Sequence, residues 1–127
     1  MDDFSTVNWL AVIVGAAVSF LAGWLWYSPM LFGTKWAEGS RIAMGTADEM
    51  PKLAMAMQAL ALLLISTFIG LTAATGALTA AIVAILGIAA FNISAGAFIK
   101  KSNYALLTDG GYAILIGVIM IAVQAIL

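Results

Sequence analysis

Four long apolar runs, each with no Asp, Glu, Lys or Arg at its centre, constrain this chain more than any other feature of its sequence. They cover about residues 8–27, 53–73, 77–99 and 106–126, and each has the roughly 20-residue length that crosses a bilayer as a helix. A soluble fold of 127 residues has too much surface for its volume to hide 65% hydrophobic residues. Lipid is the solvent that suits such a chain. Helical spans satisfy every backbone polar group internally, as hydrocarbon requires. The sequence therefore predicts an all-α integral membrane four-helix bundle. It forms a single domain over 1–127, with 28–53 as its one substantial loop.

The first run is read as a retained helix and not as a cleaved leader. It opens on Asp2 and Asp3 instead of a basic segment, and it stays apolar as far as Tyr27. Pro29 marks where its hydrogen bonding must break. The loop that follows carries Lys35, Arg41 and Lys52 against Glu38, Asp48 and Glu49, with bends expected at Gly39-Ser40 and Gly45-Thr46. One short interfacial helix is expected between Phe32 and Met44. Thr46 or Asp48 is a candidate N-cap for the second span, with Pro51 in its first turn. Thr75-Gly76 makes a tight uncharged turn, and Lys100-Lys101-Ser102-Asn103 makes a short polar one. All five Lys and Arg residues fall in the first and third connections, so the positive-inside rule places those in the cytoplasm and both termini outside.

Helices in lipid associate through close approach at small residues. Gly15, Ser19 and Gly23 form such a seam in the first span, and Ser66, Gly70 and Ala73 or Ala74 in the second. Ala80, Ala84, Gly87, Ala90, Ser94 and Ala97 mark the third, and Gly110, Ala113 and Gly117, continuing to Gln124, the fourth. Their expected use is packing within one four-helix unit. Trp9 at one end and Trp24, Trp26, Tyr27, Trp36, Tyr104 and Tyr112 at the other have the placement of aromatic belts.

Chemistry has few candidates. The chain has no Cys and no His, which removes thiolate chemistry and the commonest metal ligands, so no metal site and no cofactor is expected. A net charge of −1 with no basic stripe excludes nucleic acid as a partner. Uncharged span centres argue against a proton-coupled exchanger, which needs a titratable group along its path. Asp109 comes nearest to a membrane-depth charge. It is read as an anchor at the head of the fourth helix or one turn inside, or as a group that binds a cation or polar substrate at the cytoplasmic mouth, with Lys100, Lys101, Lys35 or Arg41 as possible ion partners. Ser19, Gln58 and Asn92 are expected as polar packing groups between helices.

The segment from Asn8-Trp9-Leu10-Ala11 through Trp24-Leu25-Trp26-Tyr27-Ser28-Pro29 to Phe32-Gly33-Thr34-Lys35-Trp36 resembles the bacterial membrane family grouped as domain of unknown function 1761. The closing Asp109-Gly110-Gly111-Tyr112 matches that family's last motif, with Gly110 in place of its usual Ala. The resemblance spans essentially the whole chain and implies a multi-pass protein of a bacterial inner membrane. It brings no activity, substrate or catalytic residue. The matching positions suggest a ligand site at Trp26, Tyr27, Ser28, Phe32, Trp36, Asp109 and Tyr112. Together the features suggest a homo-oligomeric binding or transport module and no enzyme. The alternative is a structural or accessory subunit that docks other membrane helices. Expected partners are membrane lipid and either further copies or other helices.

Overall fold

The computed structural model describes residues 4–42 and 51–127. The expectations placed on Asp2, Asp3, Gly45, Thr46, Asp48 and Glu49 lie outside the described residues. A 3-10 turn at Phe4–Thr6 leads into α1 (Trp9–Trp26), followed by α2 (Gly33–Ser40), α3 (Lys52–Thr75), α4 (Leu78–Phe98) and α5 (Asn103–Ile126). The described residues are all-α, and α1, α3, α4 and α5 are long and apolar enough to cross a membrane. The short helix expected in the loop is α2.

Local chemistry sets the ends of these helices. Asn8 caps α1, its side-chain oxygen accepting from the Ala11 N–H at 3.1 Å. Gly76 ends α3 in the left-handed conformation, at φ 68°, which glycine adopts without a Cβ penalty. Pro51 sits at the N-cap of α3 and Lys52 is its first helical residue. Ser102 caps α5 by accepting from the Ala105 N–H at 3.1 Å, so that helix starts at Asn103 and not near 106. The polar turn is spent as a cap. The early start matters below, because it carries Asp109 well past the first turn.

α1 lies between α3 and α5, α4 packs mainly on α5, and α2 lies against α5. The centre is filled by Val12, Ser19, Leu62, Ser66, Ile69 and Met120, all under 2% exposed. Three of the four expected seams are used here. A Cβ on Gly15 would meet the Ser66 hydroxyl at 3.0 Å, and one on Gly70 would meet Val12 at 2.8 Å. Ser66 donates to the Val12 carbonyl at 2.7 Å and ties α3 to α1. On α5, Gly110 lies against Ile93 and Gly117 against Ile85.

The seam of α4 departs from expectation. Ala81, Ile85, Ala89 and Gly96 are its buried residues, whereas Ala80, Gly87, Ala90, Ser94 and Ala97 are exposed and Ala84 is half-buried. Bulky Ile85 and Ile93 fill the hollows over Gly117 and Gly110 beside the buried Ala81, Ala89 and Gly96, and the stripe of small residues that was expected to pack turns outward instead.

The polar packing residues divide as well. Ser19 is fully buried, yet its hydroxyl has no partner; the bond at this residue is made by its carbonyl, which accepts from the Tyr112 hydroxyl at 2.7 Å. Gln58 is exposed but reaches that same hydroxyl at 3.4 Å. Asn92 contradicts its expected role. Its residue is exposed, and its amide makes no hydrogen bond to another described residue.

These contacts give glycine substitutions opposite outcomes. Gly117→Leu must displace Ile85 and should destabilise the bundle by about 1–3 kcal/mol. Gly87→Leu meets nothing within 4 Å and should leave the melting temperature of the isolated protein unchanged. Thermal melts of the two variants in detergent check this.

Candidate functional site

The corner between α1 and α2 is built by backbone geometry. The Ser28 carbonyl accepts from Leu31 at 3.1 Å and from Gly33 at 2.9 Å, while Phe32 N–H returns to the Trp26 carbonyl at 3.2 Å. A Cβ on Gly33 would run into the Tyr27 carbonyl oxygen, so only glycine lets the chain turn this tightly. Ser28 Oγ donates back to Leu25 at 2.7 Å. The far end of α2 is pinned to α5: Ser102 N–H donates to the Gly39 carbonyl at 3.0 Å, and a Cβ on Gly39 would strike Ser102 Oγ. Arg41 then donates to the carbonyls of Ile99 and Lys100 at the end of α4.

This corner lowers two aromatic donors onto one carboxylate. Tyr27 hydroxyl donates to Asp109 Oδ1 at 2.7 Å, and Trp36 Nε1 donates to the same oxygen at 2.9 Å. Lys101 Nζ donates to Oδ2 at 2.9 Å in an ion pair whose side chains are only 16% and 15% exposed. Lys101 also stands 5.7 Å from the centre of the Trp36 ring, within cation–π range. Tyr27 packs edge-on against Trp36 at 4.8 Å and against Tyr112 at 5.5 Å between ring centroids.

The remaining aromatics flank this group. Trp26 Nε1 donates to the Thr108 carbonyl at 2.9 Å, and its ring fits only because Gly111 has no Cβ; one there would meet the ring at 3.0 Å. Tyr112 is seated in the same way by Gly23, whose Cβ would come within 2.7 Å of the phenol oxygen. Phe32 stacks edge-on with Trp26 at 4.6 Å, and Lys35 stands 5.5 Å above the Tyr104 ring.

Tyr27, Trp36, Asp109 and Tyr112 are thus brought together, with Trp26 and Phe32 one shell away. Ser28 is not part of the group; its hydroxyl is spent on Leu25. The structure places Asp109 at the deeper of its two expected positions and pairs it with Lys101, one of its expected partners. It lies six residues inside α5, beyond the first turn whose free N–H groups favour an anion, so it is no helix-head anchor. Its oxygens accept from three donors, one of them the Lys101 ammonium. The arrangement is a closed, neutral clamp that joins α1, α2 and α5.

Sequence reasoning left Lys101 off the site, although it stood among the candidate ion partners. It also assigned Gly23 to helix packing, when the residue serves as the seat of a phenol. Burial first, and then the Asp109 charge, raises the Tyr27 pKa above its usual 10.0, so the phenol stays a proton donor.

Asp109→Asn keeps an acceptor for the two aromatic donors but leaves Lys101 without a counter-ion, and should cost about 1–3 kcal/mol of unfolding free energy. Because folding raises the Tyr27 pKa, its contribution is present in full below the unfolded value of 10.0 and is lost as pH rises beyond it. The stability gap between the protein and its Tyr27→Phe variant should hold constant up to about pH 10 and narrow above that, measured by melts across a pH series.

A family model described as "Protein of unknown function (DUF1761)" matches residues 10–125. No curated protein and no solved structure matches the chain.

Proposed function

The chain belongs to the DUF1761 family of proteins of unknown function, and we propose that it serves in its membrane as a helix-docking module, a structural or accessory subunit that associates through α4. The observation that carries this reading is the outward seam of that helix. Ala80, Gly87 and Ser94 recur every seven residues, which on an α-helix keeps them on one face within about 20° per step. All three are exposed, and a Cβ on Gly87 would meet no atom within 4 Å. Small residues at that spacing let a second helix approach closely enough for backbone-to-backbone van der Waals contact.

The simplest occupant is α4 of a second copy, which makes the protein a homo-oligomer. Transport through a single copy receives less support. The described interior is filled by side chains, and Asp109, the charged group set deepest in a span among the described residues, is neutralised where it sits. On this reading the protein performs no catalysis and its other contacts are with lipid. We place the end that carries α2 and the Lys100-Lys101 turn in the cytoplasm, by its excess of bases, within a bacterial inner membrane.

The absence of native cysteine makes the test direct. Gly87→Cys and Ser94→Cys should form disulfide-linked dimers when membranes are mildly oxidised. Leu21→Cys on α1 and Leu60→Cys on α3, both on exposed faces, should not. A strictly monomeric protein in lipid, with no cross-link specific to α4 and no co-purifying membrane partner, would sink the proposal.

A further inference from the structure

One polar group left over by the bundle stands at the end away from the Asp109 clamp. Gln124 lies 21 residues after Asn103, about 31 Å along α5. The hydrocarbon of a bilayer is about 30 Å thick, so Gln124 falls at the rim where hydrocarbon gives way to head groups. Its amide nitrogen is buried and has no hydrogen-bond partner among the described residues. Gly70 makes room for it: a Cβ there would stand 3.2 Å from that nitrogen. A buried N–H left unbonded is costly.

Gln124 also lines a pocket of about 330 Å³, together with Thr6, Asn8, Gly70, Ala73 and Ala74 among others. The turn before α1 and the ends of α3 and α5 meet there. Asn8 brings a second carboxamide to the same pocket. Its oxygen is taken by the Ala11 N–H, which fixes the amide and leaves its nitrogen without a bond to another described residue. None of the side chains that line the pocket ionises. The cleft between α3 and α4, lined by Leu64, Phe68, Ala84 and Ile88 among others, offers no polar side chain at all.

We propose that the pocket at Asn8 and Gln124 binds one glycerolipid of the surrounding membrane through its ester carbonyls. Two amide nitrogens require hydrogen-bond acceptors, and walls without a base give no counter-charge to a phosphate or a carboxylate. Ester carbonyls are the neutral acceptors that a glycerolipid holds at the edge of hydrocarbon. The Gln124 amide turns about a terminal torsion whose profile is broad and two-fold. A half-turn therefore carries an N–H from the wall at Gly70 into the pocket, where the carbonyl supplies the bond it lacks. α4 lines no part of this site. It therefore stands or falls separately from the outward seam.

Exchanging ester lipids for ether lipids removes the carbonyls and keeps head group and tails, so nanodiscs of each kind test the site on the full-length protein. The chain has two glutamines, Gln124 and the Tyr112-bonded Gln58, and isotopic labelling of glutamine reads both side-chain amides at once. In ester discs the Gln124 signal should shift from its position in ether discs, with Gln58 unmoved. Lipid retained on release from ester discs should exceed that from ether discs about tenfold, the value of two modest membrane hydrogen bonds. Gln124→Leu should abolish this preference. Asn8→Ser, which keeps a cap on α1 and deletes the amide, should reduce it. Triacetin, a free triester, should not occupy the site in ether discs. Equal retention of the two lipids overturns the proposal, as does a Gln124 signal indifferent to esters or a preference that survives Gln124→Leu. Saturable occupancy by triacetin overturns it too, because the ligand is then a free ester and not a lipid. Should both variants misfold, the comparison of ester and ether discs on the unsubstituted protein decides alone.

Discussion

A carboxylate at the edge of hydrocarbon must be neutralised where it sits, and much of this bundle is organised around doing so for Asp109. The lysine that balances it comes from the turn before α5, and the two aromatic donors come from the end of α1 and from α2. Bringing those donors to one oxygen requires the chain to double back between Tyr27 and Gly33. It also requires α2 to lie across α5 and Tyr112 to be held upright beside Tyr27. Gly33, Gly23 and Gly111 each remove a Cβ that would block one of these placements. Three non-adjacent elements thereby become one unit at one end of the molecule, with every strong donor in that unit spent.

Away from that end, association depends on contact area and not on charge, because lipid tails compete evenly with aliphatic side chains. Where a small residue on one helix faces a bulky one on the next, the seam closes: Gly117 takes Ile85, Gly110 takes Ile93, and Gly70 takes Val12. With Ile85 and Ile93 set against α5 and Ala81, Ala89 and Gly96 buried beside them, α4 leaves Ala80, Gly87 and Ala90 exposed. α3 and α4 touch far less than α4 and α5 do, despite being consecutive in the chain. The molecule consequently shows a flat outer seam on α4 and an apolar cleft between α3 and α4.

How much of this was legible in the chain varies with the range of the interaction. The spans, the short helix in the loop and the Gly76 turn follow from local hydropathy and backbone preference, and all were expected. The clustering of Tyr27, Trp36, Asp109 and Tyr112 was anticipated only through their motif, since nothing local brings residues 82 apart into contact. α5 begins at Asn103, a little before the apolar run itself, because the Lys-Lys-Ser-Asn run reads equally as a loop or as a cap. Asn92 was misplaced for a different reason. A polar residue in a span is expected to face protein, but Asn92 is exposed.

By itself, the sequence determined that this chain forms helices long and apolar enough to cross a membrane, because each apolar run is about twice the length of a barrel strand and only a helix of that length satisfies its own backbone. It also determined which residues were free to become seams or anchors, since those properties belong to single side chains. Only the tertiary structure decided that Asp109 is a closed clamp and not an open site, and that the seam of α4 faces away from its own bundle. Both outcomes depend on which bulky side chain fills which gap. That is a property of pairs of helices, and periodicity within any one of them carries no record of it.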